Sequence, residues 1–71
     1  MKKTFEWQGK EYIVVNAGAT YLVLEDDNFT RVATGILEDG LIYTDDKLIG
    51  KIDGCENQSR KIAICLLEDL K

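Results

Sequence analysis

Residues 34–54 read TGILEDGLIYTDDKLIGKIDG, and this stretch leaves little room for anything but β-structure. Its apolar runs, Leu41-Ile42-Tyr43-Thr44 and Leu48-Ile49, are β-formers too short for helices. They are separated by Asp45-Asp46-Lys47 and preceded by Asp39-Gly40, which is turn chemistry: Gly tolerates positive φ and Asp bonds to its own backbone. A phrase of the form Gly-x-(x)-Ile/Leu-acidic-Gly occurs twice, as Gly35-Ile36-Leu37-Glu38-Asp39-Gly40 and as Gly50-Lys51-Ile52-Asp53-Gly54. The stretch reads as a hairpin bounded by two similar turns.

The upstream chain uses the same parts. Residues 3–8 alternate, with Phe5 and Trp7 on one side and Thr4, Glu6 and Gln8 on the other, as a half-buried strand does. Gln8-Gly9-Lys10 is a turn, and residues 11–16 form a second strand whose run Tyr12-Ile13-Val14-Val15 calls for burial on both faces. After a turn at Asn16-Ala17-Gly18-Ala19, residues 20–25 (TYLVLE) form a third strand, again apolar on both faces. The cluster Glu25-Asp26-Asp27-Asn28 predicts a hairpin. Residues 29–34 then form a fourth strand, with Phe29, Arg31 and Ala33 on one face and Thr30, Val32 and Thr34 on the other. Further strands fall near Ile36-Leu37, at residues 41–44 and at residues 48–53, followed by a polar loop over residues 54–59. Leu22-Val23-Leu24-Glu25-Asp26-Asp27 parallels Leu41-Ile42-Tyr43-Thr44-Asp45-Asp46, which suggests repeated hairpins.

Residues 60–71 admit two readings. Ile62, Leu66 and Leu70 lie four apart, with Ala63 and Leu67 beside them, and Ser59 is a suitable cap for a helix. A helix would place Arg60 and Lys61 at its positive end and Glu68 and Asp69 at its negative end, each on the unfavourable side of the dipole. Ile62, Ile64 and Leu66 also share one face of a strand, and on the charge argument a strand ending in a short helical turn is preferred. The expected fold is a single all-β domain over residues 1–71. It is a small antiparallel barrel or roll of hairpins with six to eight short strands, and a C-terminal segment that is strand or short helix.

The phrase Leu41-Ile42-Tyr43-Thr44-Asp45-Asp46-Lys47-Leu48-Ile49-Gly50-Lys51-Ile52 resembles a unit of the short β-repeat proteins called four-fold beta flower domains. The resemblance covers this one phrase. It implies a compact all-β fold and no particular activity.

Size bears on what else the chain needs. With 71 residues it forms one domain. A chain of this length buries about 60% of its unfolded surface, and its core supplies roughly 3–5 kcal/mol of stability. It has no histidine and two cysteines, so a metal or a disulfide framework is not the expected source of further stability, and self-association is. A net charge of −4 and a pI near 4.6 speak against a nucleic-acid or membrane-surface binder, which needs a basic field. Lys2 and Lys3 are followed by no apolar stretch, so neither a secretion signal nor a membrane span is expected, and the chain reads as cytoplasmic. Cys55 and Cys65 are then reduced, with Cys65 as a small core residue; whether they ever pair stays open.

No catalytic, cofactor or metal motif is legible. Glu25-Asp26-Asp27, Glu38-Asp39, Asp45-Asp46 and Glu68-Asp69 lack the spacing of a calcium loop and read as turn and surface chemistry. Without histidine, and with Ser59 as the one serine, the usual base–nucleophile pairing is missing, so no enzyme is expected. Two sets of residues are candidates for binding. Arg31, Lys51, Arg60 and Lys61, with Tyr43 to stack, are candidates for a small anionic ligand. Trp7, Tyr12 and Tyr21 are candidates for a partner contact, since so small a chain has a surplus of aromatics. The expected function is that of a non-catalytic, self-associating module acting by protein–protein contact, of the small inhibitor or accessory kind that phages and mobile elements encode. The alternatives are an oligomeric protein that binds or sequesters a small molecule or nucleotide between subunits, and a structural subunit.

Overall fold

The computed structural model describes residues 2–52 and 58–70. Six strands run in sequence order: β1 (Lys2–Trp7), β2 (Lys10–Ala17), β3 (Thr20–Glu25), β4 (Arg31–Glu38), β5 (Leu41–Thr44) and β6 (Lys47–Lys51). A helix, α1 (Gln58–Asp69), follows. Every strand pairs antiparallel with its neighbour in the chain, giving one sheet in the order β1-β2-β3-β4-β5-β6. Of the two forms expected from sequence, this is the roll of hairpins. Among the described residues β1 and β6 are its edges.

The turns explain the register. Trp7 pairs with Lys10, Glu38 with Leu41 and Thr44 with Lys47, so each of these hairpins closes over two residues. The central residues are Gln8-Gly9, Asp39-Gly40 and Asp45-Asp46, all with positive φ, as a type I′ turn requires. Ala17 pairs with Thr20, and only Gly18 of the intervening pair has positive φ (62°), the requirement of type II′. The Asn16 amide donates to the carbonyl oxygens of Gly18 (2.9 Å) and Thr20 (3.3 Å) and holds that turn from outside.

Two details of β4 differ from the alternating pattern. Residues 29 and 30 precede the strand, and the strand continues unbroken through Gly35 to Glu38, so that Ile36-Leu37 is part of it. The register also shifts between Val23 and Leu24: Val23 opposes Ala33, but Leu24 opposes Arg31. Val32 is the extra residue of this bulge and packs against the core with Ala33, while Arg31 leaves the face of Ala33.

The C-terminal segment is a helix, not the strand that its charges favoured. Burial decides this. Ser59, Ile62, Ala63, Leu66 and Leu67 are buried along one stripe of α1. Burying an Ile or Leu contributes about 1.5–3 kcal/mol, whereas each misplaced terminal charge costs roughly 0.3–1 kcal/mol. The helix indeed has no acidic residue in its first turn and no basic residue in its last. It packs on one face of the sheet, touching strands from β1 through to β6, over Phe5, Val14, Tyr21, Val23, Ala33 and Ile42.

The repeated glycine phrase acquires a meaning here. A Cβ on Gly35 would lie 2.5 Å from Leu66 Cδ2, and one on Gly50 would lie 2.5 Å from Cys65 Sγ. The first glycine of each copy is therefore a strand residue over which α1 sits closely. Asp53, the second glycine of the second copy (Gly54), most of the polar loop over residues 54–59 and Cys55 lie outside the described residues.

Candidate functional site

Directly opposed residues in an antiparallel sheet share a face, so the register sorts the side chains into two sets. Phe5, Tyr12, Val14, Tyr21, Val23, Ala33, Gly35, Ile42 and Gly50 form the face under α1. The other set runs in rows across the strands. Glu6 and Glu11 oppose each other at one end. Thr4, Ile13, Leu24 and, at its end, Arg31 form the next row, then Lys2, Val15, Leu22 and Thr34. Ala17, Thr20, Ile36, Tyr43 and Leu48 follow, and Glu38, Leu41 and Lys51 close the far end.

No described element covers this second face. Its middle is apolar nonetheless. Ile13 is only 2% exposed although it stands apart from the core cluster. Val15, Leu22, Leu24, Leu41 and Tyr43 are half-buried. Ile36 and Leu48 are 46% and 55% exposed and lie in one row with Tyr43 between them. Scattered apolar residues on a surface are ordinary, but a contiguous stripe bordered by charge marks an interaction site.

The candidates named from sequence fall elsewhere or apart. Trp7, Tyr12 and Tyr21 all lie on the helix-covered face. Tyr21 is buried, and Tyr12 and Trp7 pack against the core, with ring centroids 5.8 Å apart for Phe5–Tyr12 and 6.3 Å for Trp7–Tyr12. Arg31 lines a cleft of about 430 Å³ between β4, the β5–β6 turn and the end of α1, opposite Asp45, Asp69 and Leu70. Two carboxylates facing one guanidinium suit a single anion poorly. Thr44 Oγ donates to the Thr34 carbonyl (2.9 Å) at this cleft, and Lys47 Nζ lies 3.1 Å from Asp69, tying β6 to the helix end. Tyr43 lines a smaller cleft of about 290 Å³ with Ile36, Glu38 and Asp46. Lys51 ends β6 at the far row, and Arg60 and Lys61 are exposed on α1. No cleft described here holds two of the five ligand candidates.

Electrostatic perturbations are few. Lys10 and Glu25 form a hydrogen-bonded ion pair beside the β3–β4 loop. That bond raises the lysine pKa and lowers the glutamate pKa. Burial pushes the Cys65 thiol up, aided by Glu68 and Asp69; Sγ donates weakly to the Ile49 carbonyl at 3.6 Å. This is the environment of an unreactive thiol. Among the described residues no group of His, Cys, Asp or Glu is placed to hold a metal, and no helix is long and apolar enough to cross a membrane.

Comparison with protein-family models, curated proteins and solved structures finds no significant match. The molecule's own surface is therefore the guide to its function. Ile13, Val15, Leu22, Leu24, Ile36 and Leu48 were not named as site residues from sequence. Their signal was present in the two-faced apolar runs of β2 and β3, which exceed what one helix can cover.

Proposed function

We propose that this protein is a non-catalytic binding module that acts in the cytoplasm by protein–protein contact, as a small inhibitor or accessory protein does. The contact surface is the sheet face opposite α1. One observation carries the reading: an apolar stripe from Ile13 to Leu48 lies on a sheet face that no described element covers, with charged residues only at its margins. A two-faced sheet of this kind reaches full burial when a second polypeptide covers the open face.

The test is native mass spectrometry of the protein purified gently from its host extract, beside the Ile36→Lys/Leu48→Lys variant. Both side chains are already wet, so circular dichroism of the variant should match the parent. The parent should carry a second polypeptide, of its own or another mass, and the variant should lose it. A parent that carries no polypeptide, or a variant that retains it, would defeat the reading.

A further inference from the structure

We propose that the polypeptide covering this face is a second copy of the same chain, stacked sheet to sheet about a two-fold axis with the two helices outermost. This rests on the protein-contact reading above and names its partner.

Three observations lead to a second copy. The first is area. The longest extents of the molecule, 32 and 24 Å, cap the face at roughly 800 Å², so a second copy can cover all of it within the roughly 800 Å² per partner of a standard stable interface. The second is the distribution of character. Apolar side chains hold the middle of the face and charged ones its border, with Lys2 on the edge strand β1 and Arg31 at the start of β4, which is the pattern of a buried core with a polar rim.

The third is charge. Viewed onto the open face, Glu6 and Glu11 occupy the corner at β1 and β2, and Lys51 occupies the diagonally opposite corner at the end of β6. The two glutamates are direct cross-strand partners, and like charges so placed repel. A two-fold axis along the other diagonal exchanges the two corners. It sets Lys51 of each copy over the glutamates of its partner, twice per dimer, because an isologous interface repeats every contact. The same axis crosses the strands of the two sheets near a right angle, the orthogonal mode of sheet packing. Leu22 then falls near the axis, with Ile13 and Ile36 on either side of it, so that Ile13 of each copy comes toward Ile36 of its partner in the middle of the contact.

Sedimentation equilibrium and native mass spectrometry over roughly 1–100 μM test this with four proteins. The parent is expected to sediment as two chains of 8.0 kDa each. Ile36→Lys places an unpaired charge at two symmetric central positions and should weaken the dimer roughly 100-fold or more. Lys51→Glu should weaken it about 3- to 10-fold, as rim charges do. Adding Glu6→Lys and Glu11→Lys to Lys51→Glu should restore most of the loss. The rescue is the reading that mere destabilisation of the fold does not produce. A parent that stays monomeric overturns the second copy, and if it then holds another polypeptide that Ile36→Lys releases, the protein-contact reading stands without it. A dimer that survives Ile36→Lys unchanged overturns both, since association would then use another surface. A dimer lost with Ile36→Lys but indifferent to the charge exchange overturns the diagonal axis.

Discussion

Single residues set the turns, and here the chain shows which of them carry strain. Gly9, Gly18 and Gly40 take positive φ where sequence chemistry predicts turns, and Asp39, Asp45 and Asp46 do so at the modest cost an acidic side chain bears. Phe29 is different. Its φ is 56°, its ring is 62% exposed, and its amide donates to the Glu25 carbonyl (2.8 Å) in the β3–β4 loop. Nothing in the residue itself announces this conformation, since an aromatic side chain taken alone favours a strand. A bulky residue in the left-handed region costs about 1–2 kcal/mol, part of which glycine returns as unfolded-state entropy. Phe29→Gly should therefore stabilise the fold by about 0.5–1 kcal/mol, read as a higher urea midpoint at unchanged slope. A lower midpoint would mean that the exposed ring contributes to folding. Cys65 gives a pH prediction. Its folded pKa is raised, so the folded state holds the thiol proton more tightly than the unfolded chain does. The resulting stability is complete below the ordinary thiol value of about 8.5 and is lost as pH climbs through the folded value. In a Cys55→Ser background the urea midpoint should fall on going from neutral to more alkaline pH, and Cys65→Ala should remove that part of the fall.

At the scale of elements, what decides the packing is how closely α1 approaches the sheet. The twofold glycine phrase was plain in the sequence, but its cause was not, because Gly35 and Gly50 answer to residues in a helix far along the chain. Likewise the helical spacing of Ile62, Leu66 and Leu70 was visible, yet the charges at the ends of the segment argued for a strand. Local electrostatics can be read from neighbours in sequence. The greater energy of burying the Ile62–Leu67 stripe depends on a sheet surface that exists only after folding. The glycine seats allow a sharp test. Gly50→Ala meets Cys65 Sγ at 2.5 Å, while Cys65 Cβ is 4.0 Å and Ile42 Cδ1 3.6 Å away. Alone it should cost about 1–3 kcal/mol through overpacking. Combined with Cys65→Ala it should cost clearly less than the sum of the two single changes, with a coupling of about 1 kcal/mol or more. Gly35→Ala should show no such rescue by Leu66→Ala, since its new methyl also meets the Tyr43 carbonyl oxygen at 3.0 Å, which is backbone. Additive costs at position 50 would show that the helix shifts to accommodate the methyl.

At the scale of the whole molecule, the described residues hold six strands apolar enough for two covered faces and one helix to cover them. Antiparallel order followed from short apolar runs divided by turn-forming residues, whereas the strand number fell at the low end of the expected six to eight, because Ile36-Leu37 continues β4 and Gln58–Asp69 is a helix. The candidate face did not follow, because assigning it needs the register of all six strands at once and the knowledge that α1 takes the Phe5–Ile42 side. If the open face is covered by a second copy, unfolding is coupled to dissociation and the melting temperature must depend on concentration. A tenfold dilution of such a dimer removes about 1.4 kcal/mol. Spread over the unfolding entropy of two small chains, this lowers the midpoint by about 3–6 °C. Calorimetry or circular dichroism over a hundredfold range of concentration should show a slope of that size in the parent. In Ile36→Lys, whose substituted side chain already stands half in water, the midpoint should be lower and flat against concentration. A parent whose midpoint is equally flat would be a chain that folds alone and keeps its apolar face open to solvent.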